Sequence, residues 1–364
     1  MAPPPASSSN SSPPPPPQRA STSQNPPRTK SSQSQQQQQP ERPKSRASHA
    51  TASSTTSTVT MSTLHAATPI SMDLSTLLPR GPLESMVNQW LFDDLPSFDV
   101  GGMVVGTAEQ EAIVWMKSSG VLAGLPFVQT IFEVLDCTVT WDDGIEEGQF
   151  YEAGNGTQRV KIATITGPVH KLLQGERTAL NALSRCSGVA TAAREAVEVA
   201  RLLGWKGWVS GTRKTTPGFR LVEKYGLLIG GAATHRLDLS QMVMLKDNHI
   251  WACQNNITQA VQTARQAAGF SQKIEVECQT VEQAIEAARA GADIVMLDNY
   301  VQPEKLKHDA ATLKQQFPHV LIEASGGITV ETMADYLSEH IDIVSQGKLT
   351  QGYACIDFSM KVTH

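Results

Sequence analysis

The chain has 364 residues and is 40% hydrophobic, enough for two modest domains or one large α/β domain with additions, each with a sizeable core. No apolar run is long enough to cross a membrane as a helix. The net charge is −5 but uneven: residues 1–60 hold six Lys or Arg against Glu41, and the remainder holds 24 against 34 Asp or Glu. An acidic body of this kind is a poor nucleic-acid binder, because phosphate contacts supply most of that affinity, so cations serving an anion must be locally concentrated.

Five cysteines, at 137, 186, 253, 278 and 355, are scattered and form neither a CxxC nor a Cys/His cluster. That pattern argues for a reducing compartment and against a disulfide framework or structural zinc.

Residues 1–60 are mostly Pro, Ser, Thr and Gln, with homopolymer runs at 13–17 and 35–39. So little apolar surface cannot offset the entropy of ordering, and the segment reads as a disordered low-complexity tail. It is also basic, Ser-rich and nearly free of acids, as organelle transit peptides are, although its proline content argues against that role. The location expected is cytoplasmic, with organelle targeting as the alternative. Met61 and Met72 stand just ahead of the part expected to fold.

Asp73 or Ser75 can cap a short segment reaching Leu78, and the apolar positions 83, 86, 87, 90 and 91 form a helical face after Pro82. Residues 103–116 pass from strand-like (Met103-Val104-Val105-Gly106) to helix-like. A helix is predicted over 127–135 and a half-buried strand over 159–166. Together these make an N-terminal α+β domain over 71–180, with the last C-terminal residues packing there too. Residues 176–203 predict a long Ala-rich helix interrupted at Ser187-Gly188.

After Gly204 the rhythm changes. Short apolar runs at 207–210, 227–231, 242–245, 274–278, 293–297, 319–324 and 341–345 alternate with amphipathic stretches at 256–268, 280–290, 303–316 and 330–339. Strand–helix alternation with apolar strands implies a parallel sheet covered by helices. The absence of a GxGxxG after the first strand favours an α/β barrel, over 181–350, rather than a dinucleotide fold.

In such barrels the carboxyl ends of the strands build the site. Here those ends carry Thr212-Arg213-Lys214-Thr215, then His235-Arg236, then Lys246; Glu275 and Glu277; Asp298-Asn299; Ser325-Gly326-Gly327; and Gln346-Gly347-Lys348. The early strands deliver cations, the middle strands carboxylates, and the last two glycine loops of the kind that hold phosphate. Taken singly, each has a purely structural reading: Glu277 or Asp298 as an ion pair with Lys246, His235 as a satisfied core histidine, Ser-Gly-Gly as a turn. Their coincidence at one sheet edge favours a site for a polyanion, with carboxylates for ribose hydroxyls, a hard cation or a developing positive charge.

The stretch 211–249, from Gly-Thr-Arg-Lys-Thr-Thr-Pro-Gly-Phe-Arg to Lys-Asp-Asn-His, resembles the quinolinate phosphoribosyltransferases. So do 274–278, Gly-Ala-Asp-Ile-Val-Met-Leu-Asp-Asn at 291–299, Glu-Ala-Ser-Gly-Gly-Ile-Thr at 323–329 and the run ending at Thr350. The resemblance covers roughly 71–364 and excludes 1–60. It implies an N-terminal α/β sandwich-like domain beside an incomplete, open α/β barrel of the type II phosphoribosyltransferase kind, in a homodimer or hexamer.

It further implies a pentosyltransferase of de novo NAD biosynthesis and quinolinate catabolism. The phosphoribosyl group of phosphoribosyl pyrophosphate passes to quinolinate, giving nicotinate mononucleotide, pyrophosphate and CO₂, with Mg²⁺ required. Arg213, Lys214, His235 and Arg236 would hold the quinolinate carboxylates, with Thr215 touching substrate. Arg177 would reach a neighbouring subunit's site. Lys246 would contact substrate and pyrophosphate. Glu277 and Asp298 would serve the ribose and the metal. Ser325, Gly326, Gly327, Gly347, Lys348 and Leu349 would cradle the 5′-phosphate. Lys246, Glu277 and Asp298 are the residues expected to carry catalysis. Neither a nucleic acid nor a membrane is expected as a partner. A monocarboxylate-using nicotinate phosphoribosyltransferase, a non-catalytic relative, and an interaction arm formed by the Pro/Gln-rich tail remain as alternatives.

Overall fold

The computed structural model describes residues 73–154 and 158–363. The expectations of a disordered tail, a targeting segment and alternative starts at Met61 and Met72 lie outside them.

The described chain opens with a 3₁₀ turn, Leu74–Leu77, whose N-cap Asp73 accepts the Ser75 backbone N–H at 3.0 Å. Helix α1 (Arg80–Asp94) follows. Its expected apolar face packs inward, with Leu83 and Val87 buried and Met86, Trp90 and Leu91 against the same core.

The next segment reverses the order expected from its sequence. Val100–Val105 is helix α2 and Glu109–Met116 is strand β1. Asp99 caps α2, accepting from Gly102 N–H at 2.7 Å, so local capping outweighs the β preference of three valines. In β1 the helix-like pattern gives way to strand alternation, with Ala112, Val114 and Met116 all buried.

Strands β2 (Gly120–Val121) and β4 (Phe150–Tyr151) pair with each other around helix α3 (Leu125–Val134) and strand β3 (Thr138–Trp141). Strand β5 (Val160–Pro168) leads into helix α4 (Val169–Leu202). The N-terminal sheet is antiparallel in the order β12-β1-β5-β3, its first member being the C-terminal strand β12 (Phe358–Val362). Helices α3 and α4 cover it, with α1 packed on both, around Phe127, Ile131, Phe132 and Leu183.

Helix α4 is continuous through Ser187-Gly188, where an interruption was expected. The Ser187 hydroxyl is used on the neighbouring backbone, accepting from Ala123 N–H and donating to Ala123 O, both at 3.0 Å. Gly188 is required by packing: a Cβ there would stand 2.5 Å from the Ala354 carbonyl. The helix joins two cores, giving Leu183 and Cys186 to one and Val189, Ala193, Ala196 and Ala200 to the other.

The second core surrounds a parallel sheet. Its elements in chain order are β6 (Trp208–Ser210), α5 (Arg220–Ile229), β7 (Val243–Leu245), α6 (Asp247–Ala252), α7 (Ile257–Ala268) and β8 (Ile274–Cys278). They continue with α8 (Val281–Ala290), β9 (Ile294–Asp298), α9 (Pro303–Gln316), β10 (Leu321–Ser325), α10 (Met333–Tyr336), β11 (Ile343–Ser345) and α11 (Lys348–Gln351). The order is β6-β11-β10-β9-β8-β7, so the first strand pairs with the last, as in a closing barrel.

The strand expected at 227–231 does not exist. Those residues end α5, which packs Val222, Tyr225 and Ile229 on the N-terminal core and Leu227 on the barrel core. A short apolar run has no periodicity that separates a buried strand from a doubly buried helix. What remains of that strand is one bridge, Ser210 to Ala233. The barrel is therefore open between Ala233 and Val243, an α/β fold with an incomplete barrel beside an antiparallel-sheet layer. The helix expected over 330–339 shrinks to the single turn of α10.

Candidate active site

One cleft of about 560 Å³ opens at the carboxyl ends of the parallel strands. Its position follows from the topology: every strand points the same way, so every strand–helix loop of one end meets there. Five cations (Arg213, Lys214, Arg236, Lys246, Lys348) and three carboxylates (Glu277, Asp298, Glu323) line it, leaving an excess of positive charge for an anion.

The loop after β6 supplies Arg213 and Lys214. Helix α5 fixes its far side: the fully buried Glu223 accepts both the Thr216 N–H and the Thr216 hydroxyl at 2.8 Å. From the other end Thr350, in α11, donates its hydroxyl to the Lys214 carbonyl at 2.8 Å. The Arg213 Nε is buried without a hydrogen-bond partner, although a buried guanidinium N–H normally finds one.

The 234–236 segment stands beside it. His235 has a left-handed backbone, φ 55°. Arg236 is 8% exposed, and burial, then the neighbouring Arg213, holds its guanidinium below its ordinary pKa. Two like charges held close in a partly dry site favour a dianionic ligand between them.

Across the cleft, β7 ends in Lys246, whose ammonium pairs with the Glu277 carboxylate of β8. Asp298 ends β9. The parallel register sets Glu277 beside Met296, and Met296 beside Glu323 of β10. Glu275, two residues before Glu277, is fully buried, as is Glu323. Burial, then the adjacent Glu323 carboxylate, pushes the Glu275 carboxyl well above the usual carboxylate range.

The loop after β10 crosses the end of β9 closely. Gly326 has φ +98°, and a Cβ there would lie 2.4 Å from the Asn299 backbone nitrogen. Only glycine satisfies both the conformation and the space. Gly327, Gly347 and Lys348 continue this glycine-rich edge.

Of the residues expected from sequence, Arg213, Lys214, His235, Arg236, Lys246, Glu277, Asp298, Ser325, Gly326, Gly327, Gly347 and Lys348 all line the cleft. Three do not. Thr215 faces a neighbouring groove and accepts from Arg220 Nε at 3.2 Å, steadying the loop rather than reaching the cleft. Leu349 is 2% exposed in the barrel core. Arg177 is exposed on α4, away from this chain's own cleft.

Sequence reasoning passed over Glu323, Gln351, Met244 and Met296, and gave Asn299 a place at the strand end but no role; all five also line the cleft. The signal for Glu323 was present: a lone carboxylate inside the apolar strand β10. Gln351 carried no such signal, being placed by the turn of α11.

With this geometry in hand, comparison with known proteins is specific. Residues 99–187 match the quinolinate phosphoribosyl transferase N-terminal domain and residues 189–361 the C-terminal domain. The chain is 51% identical over 289 residues to the nicotinate-nucleotide pyrophosphorylase [carboxylating] of Rattus norvegicus, covering 79% of this chain and 94% of that one. It is 49% identical over 304 residues to the protein of that name from Dictyostelium discoideum, covering 80% and 99%. Among solved structures, NadC from Streptococcus pyogenes superposes with a TM-score of 0.70 at 35% identity, covering 80% of this chain and 99% of that one. The nicotinate-nucleotide pyrophosphorylase from Francisella tularensis does so with a TM-score of 0.70 at 28% identity, covering 80% and 100%. Matched along both domains, with the cationic loop, paired carboxylates and glycine edge gathered at one sheet end, the chain belongs to the quinolinate phosphoribosyltransferase family.

Proposed function

We propose that the protein transfers the phosphoribosyl group of phosphoribosyl pyrophosphate to quinolinate and decarboxylates the adduct. The products are nicotinate mononucleotide, pyrophosphate and CO₂, a step in making NAD. The observation that carries this reading is the cationic wall. Arg213 and Arg236 stand side by side, with a buried Arg213 Nε that has no partner within the protein. A pyridine with two adjacent carboxylates supplies the missing acceptors for such a pair.

The ring nitrogen of quinolinate attacks the ribose C1 as the C1–pyrophosphate bond breaks. Positive charge develops on the ribose, and the carboxylates of Glu277 and Asp298, on the opposite wall, stabilise it electrostatically. Lys246 offsets negative charge on the departing pyrophosphate. The new N–C1 bond leaves a pyridinium cation. The C2 carboxylate then leaves as CO₂, its bonding electron pair stays on C2 where the adjacent ring cation stabilises it, and a solvent proton completes C2. No protein nucleophile is required.

Glu277 and Asp298 are oxygen donors beside the space for pyrophosphate, a set that fits Mg²⁺, which prefers one or two carboxylates plus phosphate oxygens. Bound there, the ion would supply charge neutralisation on the leaving group. The glycine edge at Gly326, Gly327 and Gly347 would receive the 5′-phosphate.

Self-association completes the proposal. Arg177 is exposed, and Phe98, Val100, Met103 and Val104 project from the α2 region at 94%, 65%, 74% and 76% exposure. Such a patch needs cover, and a homodimer or hexamer that covers it would let Arg177 serve a neighbour's cleft. Mixing Arg177→Ala with Arg213→Ala subunits should restore activity neither has alone. The five cysteines are free, which suits the reducing cytoplasm proposed as its location. No helix among the described residues is long and apolar enough to cross a membrane.

The deciding experiment incubates the protein with quinolinate, phosphoribosyl pyrophosphate and Mg²⁺, following nicotinate mononucleotide and CO₂. Product from nicotinate without CO₂ release, and none from quinolinate, would overturn the dicarboxylate assignment. Activity unchanged after chelation would overturn the metal.

A further inference from the structure

We propose that His235 is a positioning residue rather than a substrate ligand: Glu323 and Lys224 grip it and its flanking backbone so that Arg236 is held at the cleft. The inference rests on the functional reading above and concerns which groups touch the dicarboxylate.

Both ring nitrogens of His235 are engaged within the protein. Nδ1 lies 2.9 Å from the Arg236 backbone nitrogen. A backbone N–H only donates, so Nδ1 is the acceptor and the ring hydrogen sits on Nε2. Nε2 lies 3.0 Å from Glu323 Oε2 and donates to it, with Glu275 Oε2 at 3.7 Å behind. No N–H remains to offer a ligand carboxylate. The side chain is only 9% exposed, and the Glu323 carboxylate behind it repels an anion of its own sign.

The backbone around His235 is held as firmly as the ring. Its left-handed conformation is one that non-glycine residues keep only when their surroundings over-determine it. Here the determinants are visible. Lys224, on α5 and 1% exposed, donates to the Thr234 carbonyl and, at 3.3 Å, to the Arg236 carbonyl. Those are the residues on either side of His235. A buried lysine thus holds the backbone while a buried glutamate holds the ring.

Arg236 is what this clamp presents. Its guanidinium is buried beside Arg213, an unfavourable place for a second cation until a dianion arrives. A free side chain would turn toward water, but here the preceding residue is fixed at ring and backbone, and Nη1 donates to the Met242 carbonyl at 3.4 Å. Anion binding then falls to permanently charged groups, and the histidine supplies geometry. This is preorganisation: the ordering is completed on folding instead of on binding.

The test is steady-state kinetics on the full chain, comparing Glu323→Leu, Glu323→Gln and Lys224→Met with wild type at varied concentrations of each substrate. Glu323→Leu, losing one hydrogen bond, should raise KM for quinolinate about tenfold, and Lys224→Met, losing two, by at least as much, with KM for phosphoribosyl pyrophosphate within about twofold in both. Glu323→Gln keeps an oxygen that accepts from Nε2, so it should bring the quinolinate KM back to within about threefold of wild type.

A Gln variant as impaired as the Leu variant would mean that charge behind the ring matters, making His235 a cationic ligand and overturning the proposal. Unchanged quinolinate KM in Leu and Met variants that melt as wild type does would overturn it equally. If Glu323→Leu does not fold, Glu323→Gln and Lys224→Met decide. Wild-type chain that forms no nicotinate mononucleotide overturns the functional reading and this proposal with it; wild-type turnover with indifferent variants overturns this proposal alone.

Discussion

Replacing Arg213 by alanine should separate binding from stability. The guanidinium lies at the cleft with Nε buried and unpartnered, so removal strips no hydrogen bond at Nε from the ligand-free protein. It also relieves Arg236 and Lys224, both of which its charge disfavours. The ligand-free variant should therefore melt at or above the wild-type temperature. Binding should suffer instead. A hydrogen bond to a charged group contributes about 1.5–3 kcal/mol, so losing the Arg213 contact to one carboxylate should raise the quinolinate KM roughly 10- to 150-fold. Initial rates of nicotinate mononucleotide formation, with phosphoribosyl pyrophosphate saturating, give the first number; thermal unfolding without substrates gives the second. A quinolinate KM within about threefold of wild type would refute the assignment of Arg213 to the substrate carboxylate. A marked loss of thermal stability would refute the view that its charge is uncompensated until substrate arrives.

Asp298→Asn keeps shape but removes charge opposite the cationic wall, so turnover should fall about a hundredfold with little change in quinolinate KM; unchanged kcat would make its role structural. Gly326→Ala places a methyl in a left-handed turn against the Asn299 backbone, which should destabilise by about 1–3 kcal/mol and raise KM for phosphoribosyl pyrophosphate, as thermal unfolding and kinetics would read. Lys224 carries a pH signature. Burial, then Arg220 and Arg213, lowers its ammonium from the ordinary lysine value to about 8. Below pH 8 it is charged and both carbonyl bonds are made; above, they weaken, so quinolinate KM should rise with a midpoint near 8. Over that interval the unfolded chain holds the proton longer than the folded one, so this group raises stability with pH, and the KM rise is not unfolding. Lys224→Met should lose that midpoint.

The sequence reached far into the site because its chemistry lies at strand ends, where chain position and spatial position coincide. Once 208–210, 243–245, 274–278, 294–298, 321–325 and 343–345 are parallel strands, Arg213, Lys246, Asp298, Gly326 and Gly347 must share one edge. Periodicity failed where two faces are buried at once: α5 serves both cores, and its apolar end reads as a strand. It failed again at α2 and β1, where the Asp99 cap and pairing with β5 and β12 outweigh local preference.

By itself the sequence determined most of the polar inventory of the cleft, the strand–helix alternation and the need for an anion in an otherwise acidic body. Tertiary structure alone decided where the barrel opens, after Ala233, that the C-terminal residues join the first sheet as strand β12 beside β1, and that α4 joins two cores. It also decided roles within the inventory. His235 and Arg236 are adjacent in the chain, yet the histidine has both nitrogens engaged and the arginine lines the cleft. That division depends on Lys224, Glu275 and Glu323, which come from three separate elements. A chain read in order carries no record of which buried groups will face one another across a sheet.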